Sequence, residues 1–388
     1  MKNSRERILT THVGSLPRPA ELLELFQPNP RDKGSDSQAN ANLIRNAVAE
    51  IVHKQAQIGL DIIDDGEFGK PGFITYVSER LGGFEPGEPK GSPWAGSREA
   101  KSFPEFYEQA ARSAGSPTTA ATQTQMVCTG PIKYKGQKQL QRDIENLKIA
   151  LNGVHVEEVF MPAISPSNIE DWQKNKYYKT GDEFLFAIAD AMHEEYRAIV
   201  DAGFLVQIDD PRLITYYLLN PNATIEDCRK WAEVHVEAIN HALRGIPEDR
   251  VRFHTCYSIN MGPRVHDMEL KDVVDIILKI HAGAYSFEAA NPRHEHEWQV
   301  WQTVKLPEGK ILIPGVITQS SVVVEHPELV AQRILRYAKI VGRGNVIAGA
   351  DCGFSSFAGS TEIHPTIVWA KLKSLVDGAR LATKQLWR

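Results

Sequence analysis

Two residues apart, His254 and Cys256 stand near the end of the stretch Val251-Arg252-Phe253-His254-Thr255-Cys256-Tyr257-Ser258, which begins apolar and extended. Successive side chains of a β-strand point to opposite faces, so the imidazole and the thiol share a face. Both are ligand types that suit zinc. A lone His-x-Cys is a weak signal, because a buried free cysteine at a strand end is commonplace. The signal strengthens with two later segments, Phe287-Glu288 and Asp351-Cys352-Gly353, each at the end of another strand-like run. His254, Cys256 and Cys352 make a Cys/Cys/His set with a fourth position left open, as a catalytic zinc site requires. Glu288 is a candidate fourth ligand that leaves when a substrate arrives. Taken singly, each residue has a plain structural reading: Cys352 as a small residue in a tight turn, Glu288 as a partner of Arg293, Asp209 and Asp210 as turn caps.

The elements that must position these residues alternate regularly. Short apolar runs are predicted as strands at 8–13, 60–64, 125–133, 156–162, 204–209, 251–256, 284–288, 311–316 and 345–350. Between them lie helical patterns near 42–58, 138–151, 185–199, 224–243, 270–280, 327–341 and 366–381, and Thr224 with Asp227 makes a capping-box-like start. Strands alternating with helices imply parallel βαβ units. No Gly-x-Gly-x-x-Gly turn follows the first strand, which argues against a doubly wound nucleotide-binding sheet. The expectation is a (β/α)8 TIM barrel forming a single domain over 1–388, with polar residues converging on the carboxyl-end rim. Nine strands are one too many for the barrel, and 125–133 is assigned to an extra hairpin. Residues 84–121, rich in Gly, Pro and Ser, read as an irregular insertion for a lid or oligomer contact, and 29–40 as a polar surface loop.

Composition narrows the class. The chain has 388 residues, 42% hydrophobic and 24% charged, with a net charge of -5, which offers no signature for nucleic acid. No apolar run is long enough for a membrane span, and the start lacks the apolar core of a signal peptide. Four cysteines in so long a chain do not resemble a disulfide framework. A cytoplasmic protein is expected, with a homo-oligomer left open.

The segments Thr11-His12-Val13-Gly14-Ser15-Leu16-Pro17-Arg18, Asp65-Gly66-Glu67, Gln207-Ile208-Asp209-Asp210-Pro211, His254-Thr255-Cys256-Tyr257-Ser258, Phe287-Glu288 and Asp351-Cys352-Gly353 together resemble the catalytic carboxyl-terminal half of cobalamin-independent methionine synthases. They also resemble the related epoxyalkane:coenzyme M transferases. The resemblance spans nearly the whole chain in the family's order. It implies one zinc ion held by His254, Cys256, Cys352 and, in some states, Glu288, with no cobalamin. It further implies that Ser15, Glu67 and Asp209 hold the carboxylate and amino group of a homocysteine-like thiol. The thiolate rather than the thiol is the nucleophile, and coordination to zinc deprotonates it. The expected activity is alkylation of that thiol, most simply methyl transfer as in methionine synthesis.

Two departures bear on the donor. The acid–imidazole pair expected after the strand at 311–316 is replaced by Ile317-Thr318-Gln319-Ser320-Ser321, and the aromatic expected after Pro162 by Ser165-Pro166-Ser167-Asn168. A methyl-folate donor needs its leaving nitrogen protonated, so the donor is left open. The 388 residues correspond to the catalytic half of the larger synthases, and a single barrel without their duplicated amino-terminal half is expected. Addition of a thiol to an epoxide is the alternative within the family, and Arg293 would then suit a sulfonate or other anion. A non-catalytic zinc- or metabolite-binding barrel is the alternative of another class. The cluster Asn291-Pro292-Arg293-His294-Glu295-His296-Glu297 reads as a solvated or substrate-contacting loop, with a second metal site on His294 and His296 as the sharper possibility.

Overall fold

Eight short strands, nearly all buried along their length, form the centre of the structure. The computed structural model describes residues 1–26, 38–90, 92, 94–112, 123–257, 261–359 and 363–388. In chain order the strands are β1 (Leu9–Thr10), β2 (Ile62–Ile63), β3 (Leu81–Lys90), β4 (Gln123–Tyr134), β5 (Glu158–Ile164), β6 (Lys174–Asn175), β7 (Leu205–Asp209), β8 (Val251–His254), β9 (Ala284–Phe287), β10 (Ile311–Ile317) and β11 (Ile347–Ala350). The order β1-β11-β10-β9-β8-β7-β5-β2 makes a sheet of eight parallel strands. It curls into a nearly closed (β/α)8 barrel: across the seam, Asp61 N–H donates to Thr10 O at 3.2 Å and Thr11 Oγ1 to Ile62 O at 3.0 Å. Helices wrap the outside because each strand buries both faces.

Alternation along the strands separates two cores. Leu9, Ile62, Phe160, Leu205, Ala284, Ile311, Ile313 and Ile347 fill the barrel interior. Val251, Phe253, Tyr285 and Phe287 belong to the outer core shared with the helices. On β8 the inward positions are therefore Arg252 and His254, and the Arg252 guanidinium lies 3.8 Å from the centre of the Phe160 ring. The fully buried Arg252 donates to Thr11 Oγ1 and His12 O. It thereby ties β8 to the end of β1.

The extra strand at 125–133 does leave the barrel. It lies in β4, which pairs antiparallel with β3 and parallel with β6 in a separate three-stranded sheet. The stretch expected to be irregular is more ordered than its composition suggests. It carries most of β3 and helices at Arg98–Ser102 and Pro104–Arg112. The Gly and Pro residues that hide the strand are where the pairing shifts register, between Gly82 and Phe84 and between Pro86 and Pro89, since proline cannot donate to a ladder. Residues 113–121 of that stretch and 29–37 of the polar loop lie outside the described residues. The hairpin is anchored to the barrel's helices by Arg80, whose guanidinium lies 2.5 Å from Asp143 Oδ2 and 3.0 Å from Glu195 Oε1.

The predicted helices are found with one exception, and helices at Ala20–Phe26, Pro166–Trp172 and Arg212–Leu219 were not predicted. Gln38–Ile58, Gln137–Ala150, Gly181–Asp201, Ile225–Ala242, Pro327–Val341 and Pro365–Leu386 are helical, and Thr224 and Asp227 form the capping box. The stripe at 270–280 instead makes a 3-10 turn, Leu270–Asp272, and one helical turn, Val274–Ile277, broken at Val273 with φ -141°. Its apolar spacing serves burial without a continuous helix. Among the described residues no helix is long and apolar enough to cross a membrane.

Candidate metal and thiol site

The register of the barrel brings the ends of β8 and β11 together. His254 closes β8, and Cys256 follows two residues later. Cys352 follows Asp351 immediately beyond β11. Their ligand atoms all lie within 4.8 Å of one another and all three residues are buried, with the two sulfurs 3.1 Å apart. Ser258, the last residue of the motif, lies outside the described residues.

The imidazole is oriented for coordination. His254 pairs in register with Ser286 of the neighbouring strand, and its Nδ1 lies 3.2 Å from Ser286 Oγ. Nε2 is buried without a hydrogen-bond partner, and a buried polar atom left bare is costly unless something fills the position. Burial, with Arg252 nearby, pushes the imidazole down to about 3. It is therefore neutral with a lone pair available, the form that binds metals. Two soft thiols and this nitrogen suit a tetrahedral zinc-type ion with one position open.

Asp351 sets Cys352 in place. Its Oδ1 accepts from the Ala289 and Ala290 amides and its Oδ2 from Asn291, each at 2.7 to 2.8 Å. The loop after β9 is thus clamped to the end of β11. A Cβ on Gly353 would lie 2.1 Å from Ser15 Oγ, so glycine is what lets Ser15 approach the thiols. Nothing in the periodicity of the sequence marks Asp351 as a backbone clamp; its place in Asp-Cys-Gly was the only signal.

The expected thiol-binding residues converge on the same opening. A small cleft, part of it open to solvent, is lined by Ser15, Glu67, Asp209, His254, Cys256, Cys352 and Gly353, with Val13, Phe73 and Pro211 as apolar walls. Glu67 sits at φ +60°, held in the turn by its amide donating to Asp65 Oδ1 at 2.9 Å. That conformation is uncommon outside glycine and is characteristic of functional turns. Its Oε2 is buried without a partner. Burial pushes Glu67 upward against the pull of Lys70 and Arg18. Asp209 is raised well above the usual carboxylate range by burial and then by the charge of Glu67, while Gln207 Nε2 donates to its Oδ1 at 2.8 Å. Two destabilised carboxylates facing one opening make a place for a cation. Asp210 points elsewhere: its Oδ1 accepts from Leu213 N–H at the start of the next helix and from Asn168.

The opening is framed by a strap between two loops. Gly72 and Phe357 form an antiparallel bridge, Phe73 N–H donates to Ser356 O at 3.1 Å, and the Phe73 and Phe357 rings meet edge to face at 5.6 Å.

Two expected residues do not join the site. Glu288 is fully buried, but its Oε1 accepts from the Tyr257 amide at 2.8 Å and its Oε2 from Arg264 at 3.0 Å and Asn291 at 2.5 Å. It does not belong to the three-residue cluster of this structure. Arg293 is exposed and donates to Val265 O at 2.9 Å, away from the opening. Nor do His294 and His296 assemble a second metal cluster among the described residues. His294 lies buried between Glu297 Oε2 at 2.9 Å and Asp267 Oδ2 at 3.0 Å. Burial opposes its charge, but these two hydrogen bonds outweigh it and push the imidazole up to about 9. His296 is exposed. Arg264 and Asp267, which complete the polar network around Glu288, were not foreseen, since they lie in an irregular segment with no periodic pattern.

The profile of the family described as "Cobalamin-independent synthase, Catalytic domain" matches residues 8–380. A methionine synthase of Saccharolobus islandicus strain L.S.2.15 is 24% identical over 382 residues, covering 98% of this chain and 96% of that protein. A methionine synthase of Saccharolobus solfataricus is 25% identical over 384 residues, with the same coverage. Among solved structures, a B12-independent methionine synthase from Shewanella sp. W3-18-1 in complex with selenomethionine superposes with a TM-score of 0.73 at 18% identity, covering 98% of this chain and 99% of that one. That likeness concerns the fold.

Proposed function

The chain belongs to the family of cobalamin-independent methionine synthase catalytic domains, and from that membership and the site geometry we propose that it is a zinc-dependent transferase that alkylates a small thiol. The observation that carries this reading is the buried His254, Cys256 and Cys352 cluster, opening onto a cavity that also holds Glu67 and Asp209. His254, Cys256 and Cys352 would hold a zinc ion, which when bound would supply a Lewis acid that favours the thiolate form of a thiol.

The chain's own residues do the rest. Glu67 and Asp209 receive the ammonium group of a homocysteine-like acceptor, which relieves the strain of two carboxylates buried side by side. The Ser15 hydroxyl contacts the acceptor's carboxylate. Val13, Phe73 and Pro211 keep that side of the cavity apolar, so the alkyl group travels from donor to sulfur with little water in its path. One sulfur–carbon bond forms as the donor's bond to the same carbon breaks. The acidic lining favours an amino acid thiol over a sulfonate thiol. The segment 317–321 lacks an acid–imidazole pair, so the donor is proposed to be one that leaves without protonation from that loop.

The test is zinc content of the purified protein beside Cys352→Ser and His254→Ala, followed by homocysteine titration of the cobalt-substituted protein. About one zinc per chain, lost or sharply weakened in both variants, is expected for a site of this type. A cobalt absorption spectrum that does not respond to homocysteine overturns the catalytic reading and leaves a closed, structural site.

A further inference from the structure

The seam of the barrel falls between β1 and β2, the strands that lead to Ser15 and to Glu67. Each is two residues long, and they stand at opposite ends of the sheet order. A seam without a ladder leaves the spacing between the two following loops to be set by other contacts. We propose that Arg18 sets that spacing, and thereby selects the length of thiol that fits between Glu67 and the metal-ligand cluster. The inference rests on the zinc and thiol reading above and names what measures the acceptor within it.

Arg18 is buried and follows Ser15 by three residues. Its guanidinium joins three segments. Nη2 donates to Glu67 O and to Lys70 O, both at 2.9 Å, and Nη1 donates to Ser355 O at 2.8 Å. The first two carbonyls bound the turn in which Glu67 adopts φ +60°, and Lys70 N–H closes that turn on Glu67 O at 3.1 Å. Ser355 lies three residues beyond Cys352. Two backbone bonds run alongside: Leu16 N–H donates to Gly66 O at 3.2 Å and Phe354 N–H to Ser15 O at 3.0 Å. The loop that carries Ser15 therefore lies between the Glu67 turn and the segment after Cys352, and Arg18 reaches both.

Arginine suits this task. Its donors form a rigid planar fork, whereas a lysine ammonium is a point charge on a flexible stem and cannot hold two segments in fixed directions. These three acceptors are backbone carbonyls, so the guanidinium fastens the turn without filling the Glu67 carboxylate, whose Oε2 stays buried and bare. Burial works against the charge of Arg18, and Glu67 and Asp65 favour it.

A clamp of this kind makes the cleft a gauge. The acceptor is held at both ends, by its ammonium group at Glu67 and by its sulfur at the cluster. One methylene too few leaves an end unmet, and one too many must buckle. A single methylene is worth about 10–200-fold in a site that keeps its shape, and loops that drift apart forfeit that discrimination.

The test uses the full-length, cobalt-substituted protein as wild type, R18K and R18M. Dissociation constants for L-homocysteine, L-cysteine and 2-amino-5-sulfanylpentanoate, one methylene longer, are read from the cobalt absorption bands. Wild type is expected to prefer homocysteine to both neighbours by about tenfold or more. Both variants should keep the metal and bind the three thiols within about threefold of one another. The three ligands carry the same ammonium and carboxylate, so lost charge or a general loss of stability shifts all of them together, and only the ratio reports the gauge. A preference unaltered in R18K or R18M overturns the proposal, as does a wild type that binds the three thiols alike. Should R18M fail to fold, R18K and the wild-type preference decide the matter. A wild type that holds no metal, or whose bands respond to none of the thiols, overturns the zinc reading and this inference with it. One that prefers homocysteine, with R18K equally selective, overturns this inference alone.

Discussion

His254 Nδ1 lies 3.2 Å from the hydroxyl of Ser286, its registered partner on the next strand. With Nδ1 protonated and donating to that hydroxyl, the Nε2 lone pair points into the cluster. Such outer contacts fix the tautomer of a ligating histidine and are worth about 10–100-fold in metal affinity. Ser286→Ala is therefore expected to fold with unaltered thermal stability to within about 1 kcal/mol, and to release zinc to a chelator about tenfold more readily. An unchanged zinc affinity would mean that packing alone orients the ring.

The site and its frame were unequally legible in the sequence. His254, Cys256 and Cys352 could be read because strand ends converge in a barrel, so residues far apart in sequence meet at one rim. Glu67 and Asp209 were legible for the same reason. What surrounds Glu288 was not. Arg264 and Asp267 lie in an irregular segment, and their roles come from contacts with residues about twenty to thirty positions away. Arg252 was hidden inside an apolar strand, where an inward-facing cation has no periodic signature. The broken helix at 270–280 shows the opposite error: the apolar spacing was real, but it recorded burial rather than backbone form.

His12 makes the fold sensitive to acid. Its Nδ1 accepts the Gly14 amide at 3.2 Å and its Nε2 meets Gln55 Oε1 at 2.7 Å, so the neutral ring has both nitrogens in use. Protonation would set a second N–H against the Gly14 amide. Burial pushes the imidazole from 6.5 down to about 4. Asp64 lies 3.5 Å away, but burial raises its own carboxyl well above the usual range. A group depressed on folding contributes stability that is present above its unfolded value and is lost as pH falls through the folded one. Unfolding free energy from urea titrations should thus fall between about pH 6.5 and 4, by up to about 3 kcal/mol from this group at 1.36 kcal/mol per unit. His12→Asn, which keeps an acceptor for Gly14, should make that limb shallower but not flat, because burial depresses His254 as well; an equally steep slope in the variant would remove His12 as a source.

Gly353 admits Ser15 to the cavity. A methyl group there would stand 2.1 Å from Ser15 Oγ, and the small hydroxyl can escape only by rotating away. Gly353→Ala should keep its zinc while weakening homocysteine binding about tenfold or more, the value of a hydrogen bond to a charged group. Ser15→Ala should lose a similar amount, and the double variant no more than either single, because both remove one contact. Additive losses would show that the methyl group acts through Cys352 instead.

The two acidic side chains of the cavity should decide which thiol is accepted. Glu67 Oε2 is buried and unpartnered, and Asp209 is raised well above the ordinary range by burial and by Glu67. An ammonium group satisfies both, whereas a sulfonate adds a third negative charge to a site that already resists two. Glu67→Gln and Asp209→Asn are each expected to raise KM for homocysteine about 10–100-fold, with a smaller effect on kcat, since the ammonium contact is made alike in ground and transition states. The same substitutions should improve binding of 2-mercaptoethanesulfonate, because they remove repulsion without touching the metal ligands. Parallel losses for both thiols would assign the carboxylates to the architecture of the turn rather than to the substrate. A wild type that prefers the sulfonate would turn the reading toward thiol addition to an electrophile such as an epoxide.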